Sequence, residues 1–239
     1  MMKSSLLLSL IAGVWFTASC QKERVTPSSE ITTEIRYVSD FTGIEVSHGL
    51  EVELIFEQGE HEVKVEANSN LHKYILTDVV SGNLRIRMKN NVRIKSHATI
   101  HVYVRVENLK ELELSGAAHV EAKNAWKGEE LDLDLSGASF FTGEFDANSL
   151  RIEQSGASTA STWGKAKKLD AEVSGASTLK DYGFSCDDLN IRISGASQTS
   201  LTVNKSLDIE ASGASTLNYK GDGQIDEISI SGASRVNKK

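Results

Sequence analysis

Ser-Gly-Ala recurs seven times in the 239-residue chain, at Ser115, Ser136, Ser155, Ser174, Ser194, Ser212 and Ser231. A serine beside a glycine turn is one way to present a nucleophile, but that chemistry needs a strand-to-helix elbow, a paired histidine and an acid. Seven equivalent serines cannot each have these. The histidines, His48, His61, His72, His97, His101 and His119, lie outside the repetitive stretch except for the last. His97 and His101 are the closest pair; four apart on extended chain they share a side but stand about 13 Å apart, so no metal site is expected. Cys186 has no histidine near it in sequence and reads as a buried thiol. No catalytic residue and no cofactor is expected.

Two charged patterns remain. Glu113, Asp134, Glu153 and Glu172 each stand two residues before a repeated serine, so stacking the repeats stacks the carboxylates. Coulomb's law puts the cost at about 1 kcal/mol or less per neighbouring pair in water and several-fold more near a protein surface, before splaying and salt reduce it. A fold tolerates that. The column reads as a solvated, aggregation-resistant face, with a divalent cation or a basic ligand as the sharper alternative. Arg85, Arg87, Lys89, Arg93 and Lys95 alternate with Leu84, Ile86, Met88, Val92 and Ile94. They are expected to pair with acids such as Glu51 and Glu53, or else to meet anionic polysaccharide or lipid headgroups. Trp126, Trp163 and Tyr182 fall between the motifs, where rings either stack on sugars or cover the core.

The elements that must position these residues follow from the repeat. The spacings between successive motif serines are 21, 19, 19, 20, 18 and 19, and six of the seven copies continue as Ser-Gly-Ala-Ser. An alternating stretch precedes each copy, as in Leu131-Asp132-Leu133-Asp134-Leu135, which is the pattern of a strand with one buried face. A repeat of this length with no helical stretch predicts one coil of an all-β solenoid, its coils stacking as parallel strands roughly 4.8 Å apart. Gly116, Gly137, Gly156, Gly175, Gly195, Gly213 and Gly232 are then corner residues, at positive φ or close to a neighbouring backbone. The Ala of each motif is expected to fill the inner side of the corner, with the serines laddered outside. Residues 35–106 are strand-like but irregular, and read as degenerate coils before the regular ones of 107–239; a separate β-sandwich is the alternative.

Composition agrees: 39% apolar, 25% charged, 18 Gly and a single Pro suit a folded chain of many short elements. The formal charge of -7 argues against a nucleic-acid partner, which needs a basic face. Residues 1–19 carry Lys3, an apolar run from Leu6 to Phe16 and small residues before Cys20, and read as a secretory signal peptide too short to span a bilayer. The placement of Cys20 resembles a bacterial lipobox, which implies that Cys20 is the lipid attachment site and that 20–34 is a lipidated tether. The chain is then exported and held at the cell envelope, on the outer membrane, with one thiol and no disulfide.

The lipobox-like start, Phe41-Thr42-Gly43-Ile44-Glu45-Val46, the Leu84–Met88 stretch and the tandem Ser-Gly-Ala-Ser copies together resemble the head GIN domain family of auto-transporter adhesins. That resemblance implies a right-handed parallel β-helix over residues 35–239 and a non-enzymatic, adhesin-like role. The partner it implies is an unidentified glycan or surface protein. A polysaccharide lyase or hydrolase is the alternative, since such folds host these enzymes, but coils that vary only from 18 to 21 residues leave little material for cleft walls.

Overall fold

The computed structural model describes residues 23–95 and 97–239; the expected signal peptide and Cys20 lie outside them. No helix among the described residues is long and apolar enough to cross a membrane.

The alternating stretches are strands, and they stack in parallel at the register of the repeat. Leu112 pairs with Leu133, Leu133 with Ile152, Ile152 with Ala171, Ala171 with Ile191, Ile191 with Ile209 and Ile209 with Ile228. Period-two alternation therefore becomes a continuous apolar column inside a β-solenoid, buried from Leu112 to Ile209 and open at Ile228 in the last coil. Each coil has two bends. At one, the Ser-Gly-Ala-Ser corner breaks the strand. At the other the strand continues in the middle coils: Phe140–Gln154 is unbroken, but alternation slips phase at Asn148, with Ala147 and then Leu150 buried.

The corner is built by backbone. Ala138 N–H donates to Gly116 O at 2.6 Å, and Ala157, Ala176, Ala196, Ala214 and Ala233 repeat the bond to the glycine one coil before at 2.7 Å. At Gly156, φ is +74°, and a Cβ would lie 2.5 Å from Gly137 O, closer than carbon approaches oxygen. Glycine is required there for both reasons. The side chains correct the expectation from sequence. The motif alanines point outward, and the fourth residue of each of the first six motifs, Ala118, Ser139, Ser158, Ser177, Ser197 and Ser215, is the one that is buried, Ser234 in the last being half-buried. Some of these hydroxyls bond within the turn, Ser139 Oγ donating to Ser136 O at 2.9 Å and Ser197 Oγ to Ser194 O at 2.8 Å; others bond the stacked serine of the next coil, Ser158 Oγ to Ser177 Oγ and Ser215 Oγ to Ser234 Oγ, each at 3.3 Å. The coil-to-coil serine bonds therefore run along the inside of the corner, beside bonds that close the turn, and not along the outside.

In the first third of the chain, stacking order departs from chain order. Gly43–Val46 and Glu51–Phe56 flank a corner at His48 and Gly49, both with positive φ. This coil pairs in parallel with Glu111–Leu114 and His119–Ala122 on one side and with Asn83–Met88 and Ile100–Val106 on the other. The coil formed by later residues thus lies outside the earlier one. Antiparallel strands close that end: Ile31–Arg36 on Glu62–Asn68, Glu62–Asn68 on Ile100–Val106, and Ile75–Val80 on Asn83–Met88. Glu23–Val25 pairs with Val92–Ile94, so the segment expected as a tether contributes strands from Glu23 onward. A single apolar core runs from Val25 to Tyr219. Trp126 anchors it, fully buried among Phe56, Phe141 and Phe145, with its indole N–H donating to Leu109 O at 2.7 Å.

Candidate functional site

The carboxylate column lies on the outer face of the strands that lead into the corner. Those strands stay in register, so Glu113 is set beside Asp134, Asp134 beside Glu153 and Glu153 beside Glu172. Glu45 on the out-of-order coil extends the column, because it pairs with Glu113. Five carboxylates therefore stand in line, with Arg85 beside Glu45 at one end and Arg192 beside Glu172 at the other. Glu45 was not assigned to the column from sequence, although Ile44-Glu45-Val46-Ser47 has the alternation that precedes every motif.

Four of these carboxylates and Ser136, Ser155 and Ser174 line an open groove of about 350 Å³. The electrostatics are costly there. Partial burial, and then the Glu153 charge, raise the Asp134 carboxyl to about 6 against Arg151, which lowers it. Burial and the charges of Glu45 and Glu111 raise Glu113 too. Arg151 is drawn in from the neighbouring column, paired with Glu153 and 3.9 Å from Asp132. Such a surface favours protonation, a cation or a basic group, any of which removes repulsion.

The basic stripe finds a different partner from those expected. Arg85 and Arg87 both bind Asp78 on the adjacent antiparallel strand, Arg87 at 3.0 Å, and the Arg85 hydrogen bond holds the Asp78 carboxyl below its ordinary value. Glu51 instead meets His101 at 3.3 Å and Glu53 meets Lys123 at 3.6 Å. The aromatic residues divide: Trp126 is core, Trp163 is 39% exposed, and Tyr182 lies under the Lys220 ammonium at 4.3 Å. Cys186 is fully buried, and burial followed by the charges of Asp187 and Asp188 pushes its thiol up to about 12, which removes it as a nucleophile. A second open groove, of about 720 Å³, follows the far bend past Lys127, Asp146, Asn148, Lys165 and Asp187. Two of its acids are paired, Asp146 with Lys165 at 3.7 Å and Asp187 with Lys205 at 2.8 Å, and Glu129 accepts from Asn148. The seven motif glycines all have positive φ, and each faces backbone of the adjacent coil within 3.3 Å of a would-be Cβ.

Comparison with known proteins matches residues 40–223 to a family described as "Putative auto-transporter adhesin, head GIN domain". No curated protein matches the chain. Among solved structures, a putative adhesin from Bacteroides fragilis superposes with a TM-score of 0.83 at 16% identity, covering 90% of this chain and 100% of its own. A putative lipid binding protein from Parabacteroides distasonis gives 0.71 at 19%, covering 91% and 100%. A putative adhesin from Parabacteroides merdae gives 0.67 at 18%, covering 91% and 99%. At these identities the likeness is one of fold.

Proposed function

We propose, for a chain that belongs to the head GIN domain family, that it is a non-enzymatic lipoprotein of the cell envelope whose rigid coils present a binding face to a glycan or surface protein. The carboxylate ladder carries the reading. Five like charges held in line at a cost are accounted for by a ligand that supplies positive charge, whether basic groups on a partner surface or a bridging divalent cation. Ser139 and Ser197 donate to turn carbonyls and the Cys186 thiol is buried, so these groups are poorly placed to act as nucleophiles.

An array of glycans and matrix proteins probed with the chain tests this. The expected result is a signal that weakens with salt and is lost when Glu113, Asp134, Glu153 and Glu172 are all changed to their amides. Turnover of any arrayed glycan overturns the non-enzymatic reading and favours the lyase or hydrolase. Binding that survives the four substitutions overturns the choice of face. Attachment through a lipid on Cys20 has its own test: Cys20→Ala releases the protein from the membrane fraction, and persistent sedimentation with membranes refutes the anchor.

A further inference from the structure

We propose that His101, Glu51 and His119 form a binding site for a divalent transition-metal ion of the Zn²⁺ class, separate from the carboxylate ladder and independent of its proposed role. These residues are far apart in sequence and brought together by the out-of-order coil. Glu51 pairs in register with His101 on one side and with His119 on the other, so the three donors stand side by side on adjacent parallel strands. They share an outward recess of about 180 Å³ with Glu53 and Glu121.

His101 Nδ1 already lies 3.3 Å from Glu51 Oε2. Lys123 occupies the other two acids, at 3.6 Å from Glu53 and 3.0 Å from Glu121. Two imidazoles and one carboxylate are left as the ligand set, a combination that suits zinc and its neighbours, with one position open to water or to a donor on a partner. Among the described residues no three such side chains converge as they lie. His119 rests with its ring centroid 6.0 Å from that of Phe140, so completing the set requires its imidazole to turn from Phe140 toward Glu51. Strands about 4.8 Å apart put the two histidines about 10 Å from each other, so each imidazole covers roughly half that distance to an ion above Glu51. Glu51 and His119 are exposed and His101 is partly exposed, so reorientation costs little packing.

Calorimetric titration of ZnCl₂ into the tag-free full chain tests the site. One ion per chain is expected, weakened roughly tenfold or more by His101→Ala or by His119→Ala and abolished in the double variant, while His61→Ala, whose ring packs on Phe41, binds as the parent does. Circular dichroism confirms that the variants fold, and the His101→Gln and His119→Gln pair repeats the test with side chains of similar size. ZnCl₂ should raise the melting temperature of the parent and not of the double variant. No zinc binding by the parent, or unchanged binding by the double variant, overturns the proposal.

Discussion

Replacing Gly156 with Ala isolates the corner on which the stack depends. The residue sits at φ +74°, where an alanine costs about 1–2 kcal/mol in conformation alone. Its Cβ would stand 2.5 Å from Gly137 O and 3.0 Å from Gly137 N. Relieving that contact opens the corner and weakens the 2.7 Å bonds from Ala157 N–H to Gly137 O and from Ala176 N–H to Gly156 O. At about 0.5–1.5 kcal/mol for each hydrogen bond, the total loss is about 2–5 kcal/mol. For a domain of this size that lowers Tm by roughly 4–20 °C. Gly82 is the control: φ is +83°, but no atom lies within 4 Å of its would-be Cβ, so Gly82→Ala carries the conformational cost only. Thermal melts followed by circular dichroism compare the two, and amide exchange at Ala157 and Ala176 reports whether the damage is local, as nearest-neighbour stacking requires. Equal losses at the two positions, or none at Gly156, would refute the close-contact account of the corner.

Asp134→Asn changes how stability depends on pH. The folded carboxyl titrates near 6 and the unfolded one near 3.8, so the charged form is disfavoured in the fold; the penalty is absent below about pH 4 and complete above about pH 6. The amide should therefore stabilise the protein at pH 7.5 by about 1 kcal/mol, after discounting for a half-exposed group, and leave it unchanged at pH 4, as urea titrations at the two pH values would reveal. Trp126→Ala removes a fully buried ring and its bond to Leu109 O, for an expected loss of about 3–5 kcal/mol together with much of the near-ultraviolet dichroism. Cys186 should resist thiol reagents at pH 8 in the folded state and react on addition of denaturant; rapid native labelling would show that the thiol is accessible.

The regular coils were legible because their constraints are local. A positive-φ glycine and alternation before it recur at one spacing, and spacing alone predicts that Glu113 lies beside Asp134. The corner interior was not legible, since alanine and serine are both small and the turn geometry decides which faces inward. Glu45 and the grouping of His101, Glu51 and His119 were hidden for another reason. Their neighbours follow from where the 43–56 coil is inserted in the stack, and sequence separation carries no trace of that choice. The same holds for Asp78, which captures Arg85 and Arg87 through an antiparallel hairpin where alternation alone pointed to Glu51 and Glu53.

Register irregularities between neighbouring coils fall at Ser161/Gly164, Lys180/Ser185, Cys186/Asp188 and Leu207/Asp208, on the far-bend side and never at the glycine corner. Under mechanical load the two bends therefore behave as a stiff spine and a compliant hem. Tension pulled through the chain would peel coils singly, each paying out its nineteen or so residues as roughly 60 Å of slack before the next rung yields. A stack of this kind, held at one end and pulled at the other, lengthens in steps and keeps whatever faces remain on the unpeeled rungs intact.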